Sequence, residues 1–378
     1  MTLSHNGTMI PGVATFEGTE RYASRIGGRL PHDHFRRLAG GPRTSSIGIG
    51  TYLGKEDGAT DVQYQHAITR SLERGINVID TAVNYRFQRS ERAVGAALEE
   101  AIGRGLIARD EVLIATKGGF VPFDGATPRD PAAFFTETYL RSGIVNPDEV
   151  VGGAHCMAPR YLADQIERSR KNLGLATLDV YYVHNPETQL EEVDHDAFLA
   201  RLRGAFEALE QAVTDGRIAR YGAATWTGFR ADPGTPGHLS LEEVVKAAHD
   251  VAGSDHHLKV IQLPYNLAMT EAFTRATQRV GAEIVTVAEA ARRLGVYVMA
   301  SASVYQGQLT RNLPPVVAQF LPGLETDAQR AIQFVRSTPG IGTALVGMKS
   351  VTHVEENAAV TGVSPLPAAD FARLFTPA

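Results

Sequence analysis

Four side chains of this sequence can move a proton or steady a charge, and three of them close short apolar runs. Asp80 ends Ile76–Thr81 but for one residue, with Tyr85 five positions later; Lys117 follows Val112–Thr116; His184 follows Leu178–Val183. A carboxylate, a phenol, an ammonium and an imidazole together can deliver a proton to a developing oxyanion and hold the charges that result. Taken singly, none of them says so. An aspartate after a strand most often caps a helix or forms a turn. A lone tyrosine usually packs, a lone lysine is usually a solvated end, and a lone histidine is usually a satisfied buried side chain. Their occurrence together after three consecutive strand-like runs is the informative feature.

Those runs belong to a longer rhythm. Ser46–Leu53, Ile76–Thr81, Val112–Thr116, Leu178–Val183, Tyr221–Thr225, Val260–Pro264, Val296–Ala302 and Ala344–Val346 read as strands. Helical spacing falls between and after them, over Asp61–Arg74, Ser90–Arg104, Tyr161–Leu173, Phe198–Thr214, Leu241–Val251, Val285–Leu294, Ala328–Ser337 and Val351–Ala359, with Ser90 as the expected N-cap of the second helix. Strands alternating with helices imply βαβ units and a parallel sheet, and eight such units imply closure into a (β/α)₈ barrel. The rival, an open doubly wound sheet, calls for G-x-G-x-x-G after the first strand, and Gly54-Lys55-Glu56-Asp57-Gly58 does not fit it. In a barrel the reactive groups sit at the C-terminal ends of different strands, which is where Asp80, Lys117 and His184 fall.

Two stretches break the rhythm. Residues 1–44 are rich in Gly, Arg and His with weak periodicity, and are expected to form an irregular extension, with a short hairpin around Phe35–Leu38, before a barrel domain spanning 45–378. About forty residues from Gly118 to Arg160 carry Pro122, Pro128, Pro131 and Pro147, the pair Phe134–Phe135, and Gly152-Gly153-Ala154-His155-Cys156. Loops of this length are usually functional. This one is either a lid or pocket wall on the catalytic face, or a surface excursion with its own small core.

The totals narrow the function classes. A net charge of −5 with no basic stripe argues against nucleic acid as a partner. Cys156 is the single cysteine, so no internal disulfide forms, and with no signal-like run in Met1–Thr15 a cytoplasmic setting is expected. No stretch approaches ~18 consecutive apolar residues, so no membrane span is expected. His155–Cys156, His32–His34 and His256–His257 lack further ligands at useful spacing, so no metal is expected.

The sequence resembles the aldo-keto reductase family from about Ser45 to Val360. The resemblance rests on Asn77-Val78-Ile79-Asp80-Thr81-Ala82 with Tyr85, on Ser90-Glu91 with Val94-Gly95, and on Ala115-Thr116-Lys117. It extends through Leu178 to His184, Ile261-Gln262-Leu263-Pro264-Tyr265-Asn266 and Val354-Glu355-Glu356-Asn357. It implies a catalytic tetrad of Asp80, Tyr85, Lys117 and His184, and an enzyme that reduces an aldehyde, ketone or sugar, or runs the reverse. The small-molecule carbonyl or alcohol is then the partner. The physical sense of the tetrad is plain. Hydride addition to a carbonyl leaves an alkoxide that needs a proton; Tyr85 gives it, Lys117 is expected to lower the phenol pKa from ~10, Asp80 balances the lysine, and His184 orients the substrate oxygen.

The hydride must come from a nicotinamide, since no side chain supplies one. By resemblance Gln262 bonds the nicotinamide amide. Gly222-Ala223-Ala224-Thr225 stands where the family usually has Gly-x-Ser-Asn, so Ala224 lacks a hydroxyl and Thr225 replaces an amide. Counting back from Gly307 puts Ser301 where an aromatic usually stacks on the ring; Tyr305 and Trp226 are the aromatic residues available to replace it. Gly50 and Thr51, at the end of the first strand, complete that side of the expected site. Lys349, Ser350 and His353 are expected at the phosphate end and Glu356 and Asn357 at the adenine, which favours NADP with NAD possible. A competing reading keeps the barrel and the nucleotide but makes the protein a regulatory subunit with little turnover. A metal-dependent hydrolase is the third reading, and it wants His-x-His where Gly50-Thr51-Tyr52 stands.

Overall fold

The computed structural model describes residues 9–28, 30–38 and 40–375. Eight parallel strands close into a barrel in chain order. They are β1 (Ile47–Gly50), β2 (Val78–Asp80), β3 (Leu113–Gly118), β4 (Val180–His184), β5 (Tyr221–Ala224), β6 (Leu258–Pro264), β7 (Tyr297–Ser301) and β8 (Ile341–Gly347). Gly50 pairs with Asp80, Lys117 with Tyr182, His184 with Ala224, Ala224 with Gln262, Ser301 with Pro264, and Gly347 with Gly50, which completes the ring.

The pleat decides which side chains reach the barrel interior. Successive residues of a strand face opposite sides. Val78, Leu113, Ala115, Val180, Tyr182, Ala224, Val260, Met299 and Leu345 pack together inside the barrel. Stepping two residues from these toward the C-terminal end reaches Asp80, Lys117, His184, Gln262, Ser301 and Gly347. The interior floor is therefore apolar and its rim polar, with the parity set by strand register. The outward residues, such as Ile49, Ile79, Ile114, Tyr181 and Ile261, pack on the surrounding helices.

Those helices form because their apolar residues recur on one face. Gly58–Glu73 buries Thr60, Tyr64, Ala67, Ile68, Ser71 and Leu72, and Asp57 caps it by accepting from the Thr60 N–H. Asp194 likewise caps His195–Thr214 through the Ala197 N–H.

Four expectations change. Of the extension at 1–44, residues 1–8, 29 and 39 lie outside the described residues, so the reading of Met1–Thr15 is described only from Met9 on. The rest is not irregular. Phe16–Gly27 is a helix capped by Thr15, with Thr19, Tyr22 and Ala23 buried on one face. The hairpin is present, Phe35–Arg37 pairing antiparallel with Arg43–Ser45, and Leu38 and Ala14 join the barrel-interior cluster. Few large apolar residues mark that helix, which packs against the Arg109–Glu111 turn and the hairpin rather than on the barrel strands. Ser90 is not an N-cap: the helix runs Arg89–Gly103 from Gln88, and the Ser90 hydroxyl instead donates to the Thr51 carbonyl. The helix expected at Val285–Leu294 starts at Val287, after an unforeseen hairpin of Ala276–Val280 and Glu283–Thr286. The excursion from 118 to 160 has the small core of one reading, with Tyr139, Val145, Cys156 and Tyr161 buried together, and the pocket wall of the other, because Phe120 faces the central cavity.

Candidate active site

The polar rim surrounds a cavity of about 720 Å³, within the range of small-molecule sites. Asp80 reaches it from β2, His184 from β4, Gln262 from β6 and Ser301 from β7. Lys117 lies behind the wall, fully buried. Its ammonium uses all three protons. One goes to Asp80 Oδ2 at 2.7 Å, one to the Thr81 carbonyl at 2.8 Å, and one to the Tyr85 hydroxyl at 3.3 Å. Since Lys117 donates to the phenol oxygen, the phenol's own proton is free to point into the cavity. Asp80 is held from its other side, because Gln262 Nε2 donates to Oδ1 at 2.8 Å.

Tyr85 comes from a loop, and its placement has a local cause. Arg86, Phe87 and Gln88 all have positive φ (49°, 56° and 69°). Three successive left-handed residues that are not glycine cost about 1 kcal/mol or more each. Tertiary contacts hold the turn. The buried Arg86 donates to the Lys55 carbonyl at 2.8 Å and pairs with Asp61 at 2.5 Å. Gln88 Nε2 donates to the Phe123 carbonyl at 3.0 Å, and Gly125 N–H to that of Phe87 at 2.8 Å. The reversed chain presents Tyr85 with its ring centroid 5.9 Å from that of His184 and 5.0 Å from that of Tyr52.

The electrostatics differ in one respect from the expectation for the phenol. Burial drives the Tyr85 pKa above 10, and the pull of Lys117 in the opposite direction is smaller, so the net shift is upward. Tyr85 therefore keeps its proton at neutral pH. Burial weakens the Lys117 ammonium, but Asp80 and Tyr85 together overcome it, and its pKa rises. Burial, then Lys117 and His155, push His184 well below its usual range, so its ring is neutral.

Gly50, Thr51, Asp80, Tyr85, His184, Thr225, Gln262, Ser301, His353, Glu356 and Asn357 all line this one cavity. Lys349 and Ser350 do not. Ser350 caps Val351–Ala358 by accepting from the His353 N–H, and Lys349 is exposed just beyond Gly347. Trp226 lines the cavity and Tyr305 does not, although Gln306, Gly307 and Thr310 just after it do. Ser301 is the last residue of β7, opposite Pro264, so the non-aromatic residue does stand at the strand end. Sequence reasoning missed Asn84 and Val304, while Phe120 comes from the excursion expected as a pocket wall and Asn185 follows the His184 strand end. Asn84 sits directly before Tyr85, so position alone could have suggested it.

Several lining atoms are buried with no hydrogen-bond partner: Asn84 Oδ1, His184 Nδ1, Thr225 Oγ1 and Asn357 Oδ1. Such atoms are costly to bury unless a ligand or water completes them. They run from beside Tyr85 and His184 to the helix Val351–Ala358.

A family model described as the aldo/keto reductase family matches residues 46–315, which include the tetrad, Gln262 and Ser301. Among curated proteins, a 6-dehydroglucose reductase of Novosphingobium aromaticivorans is 26% identical over 196 residues, covering 51% of this chain and 52% of the relative. An NADH-specific methylglyoxal reductase of Escherichia coli is 26% identical over 185 residues, covering 48% of each. The chain thus spans about half the length of these curated relatives. Among solved structures, an aldo/keto reductase from Klebsiella pneumoniae in complex with NADP and acetate aligns with a TM-score of 0.59 at 22% identity, over 90% of this chain and 94% of that one. A glycerol dehydrogenase from Gluconobacter oxydans aligns with a TM-score of 0.62 at 18% identity, over 91% and 94%. These structures share the fold, and the match over residues 46–315 carries the further conclusion that the chain belongs to the aldo/keto reductase family.

Proposed function

We propose that this protein is an NAD(P)(H)-dependent oxidoreductase that interconverts a small carbonyl compound and its alcohol, with Tyr85 as general acid and base. The observation that carries it is the Lys117 ammonium set between Asp80 and the Tyr85 hydroxyl, with the phenol proton left free for the cavity. The bound nicotinamide supplies the hydride, which no side chain can. The rest falls to the chain. As negative charge grows on the substrate oxygen, Tyr85 gives up its proton. Lys117 steadies the phenolate that remains, and Asp80 balances Lys117. The neutral His184 ring offers an N–H to the same oxygen and orients the carbonyl. A phenol whose resting pKa is raised does not lose its proton to water first, so the acid is present when the alkoxide forms.

The lining residues fit a dinucleotide. The Gln262 amide is oriented by Asp80, which leaves its carbonyl oxygen for the nicotinamide amide. Thr225, Ser301, Gly50 and Thr51 border the same end, with the unpaired Thr225 hydroxyl in place of the usual amide. Glu356 and Asn357 take the adenine end, and Lys349, Ser350 and His353 the phosphates, which favours NADP. No lysine or arginine lines the cavity among the described residues, and Tyr52 and Trp226 stand exposed at 57% and 40%. The end of the cavity beside Tyr52 and Trp226 therefore fits a neutral carbonyl compound held against aromatic walls.

Trp226, the single tryptophan, reports the decisive test. Titration with NADP and with NAD should quench its fluorescence at micromolar concentration, and a panel of neutral sugars, aldehydes and ketones should then oxidise the reduced dinucleotide. No spectral response and no calorimetric heat with either nucleotide would end this reading. Tight binding without turnover on any substrate would favour the regulatory one.

A further inference from the structure

The excursion between β3 and the helix Pro159–Leu173 contains His155, which stands among residues that showed no site in the sequence. It is wholly buried. Gly152 and Gly153, at φ 57° and 66°, turn the chain so that His155 bridges back to Val151 and also pairs antiparallel with Phe120. Its Nε2 then lies 2.7 Å from the His184 carbonyl oxygen, and its Nδ1 lies 2.8 Å from Gln189 Nε2.

We propose that His155 is a positioning residue: one N–H of a ring held in a single tautomer fixes the backbone of His184, so the excursion sets where the substrate-orienting imidazole stands. This rests on the reading of His184 given above.

The tautomer follows from groups that can act in only one way. Arg201 Nη1 donates to Gln189 Oε1 at 2.6 Å, and a guanidinium cannot accept. The Gln189 NH₂ therefore faces His155, where it also donates to the His155 carbonyl at 3.3 Å. Facing a donor, Nδ1 must accept, and the single proton of the neutral ring sits on Nε2. There it points at a carbonyl that can only accept. Burial holds the ring pKa down to about 4, so this state persists at neutral pH. The relay is anchored outside the site too, since Arg201 Nη2 donates to the Asp148 carbonyl and Glu192 accepts from the Gly152 N–H.

The contact also leaves no slack. A Cβ on Gly119 would stand 2.8 Å from the His184 carbonyl oxygen and 2.9 Å from His155 Nε2, at φ 151°. Phe120 fills the other side, with its ring 5.0 Å from that of His155 and 5.2 Å from that of His184, both edge-on. His184 is thus placed by its strand, by one hydrogen bond and by one ring, and two of the three come from the excursion.

The test compares His155→Leu, His155→Gln and Gln189→Glu with the unaltered protein by histidine ¹⁵N NMR and by carbonyl-reduction kinetics. A glutamine side chain can keep an N–H near the place of Nε2; leucine cannot. The His184 ring signals should move in His155→Leu, with kcat down about tenfold, dinucleotide Kd unchanged and KM altered less than kcat. His155→Gln should restore both. In Gln189→Glu a carboxylate faces Nδ1, so His155 should become doubly protonated at neutral pH. A proton on Nδ1 in the unaltered protein would overturn the proposal. So would unchanged His184 signals and kcat in His155→Leu, or a His155→Gln variant as impaired as His155→Leu, which would mean packing alone. The spectra need no turnover, so an unaltered protein that reduces no carbonyl would refute the proposed activity while the relay could still be read.

Discussion

The two ends of the cavity are built on different terms. At the proton-handling end the Asp80–Lys117–Tyr85 core closes on itself, because Lys117 spends its three protons and both Asp80 oxygens are occupied, while Asn84 Oδ1 and His184 Nδ1 beside it stay open. At the nucleotide end Thr225 and Asn357 hold buried oxygens with no partner, and Lys349 is exposed. A site whose hydrogen bonds close internally is preorganised and needs no reorganisation during reaction. A site whose bonds stay open is completed by its ligand and tolerates exchange of one side chain for another. On the resemblance read from the sequence, the four proton-handling residues keep the family pattern, and Ala224, Thr225, Ser301 and His353, at the other end, depart from it.

The largest expected effect separates the two ends. Tyr85→Phe should lower carbonyl reduction by about 10²–10⁴-fold and leave nucleotide affinity unchanged in the Trp226 titration. A parallel loss of affinity would mean the ends are one unit. Next is Lys117→Met, which strands the buried Asp80 carboxylate and should cost about 3–5 kcal/mol in thermal or denaturant unfolding. Adding Asp80→Asn should recover much of that stability while activity stays low; if it does not, the ion pair is not what holds this end.

The pH dependence follows from the phenol. Reduction uses protonated Tyr85, whose pKa is raised above 10 by burial. Its rate should therefore hold through neutral pH and fall only as pH passes above about 10. Alcohol oxidation needs the phenolate and should climb over the same range. A reduction rate that halves between about pH 7 and 9 would show that Lys117 outweighs burial after all. The smallest effect belongs to the open end. Lys349→Ala should weaken NADP by a few-fold, the ~0.2–1 kcal/mol typical of an exposed charge, and leave NAD unaffected. Equal loss for both would remove Lys349 from the 2′-phosphate.

Much of this was legible in the chain of letters. Short continuous apolar runs alternating with period-3.6 runs specify eight βα units, because each strand is buried on both faces and each helix on one, and the catalytic candidates stand out because a barrel puts strand ends on one rim. The helix Phe16–Gly27 was not legible, since its buried face is made of Thr19, Tyr22 and Ala23 and carries no strong apolar stripe. Nor was the turn at Arg86–Gln88, where three ordinary residues take a conformation that their own preferences oppose.

What the sequence by itself determined is therefore the barrel, and with it the placing of Asp80, Lys117 and His184 at strand ends on one rim, because period and strand order follow from local composition. What only the tertiary structure decided is how those groups are charged and held. The sign of the Tyr85 shift depends on how many atoms crowd the phenol against one ammonium, and the His155 proton depends on Arg201, 46 residues away in the chain. Both are sums over contacts between distant segments, and no window of sequence contains them.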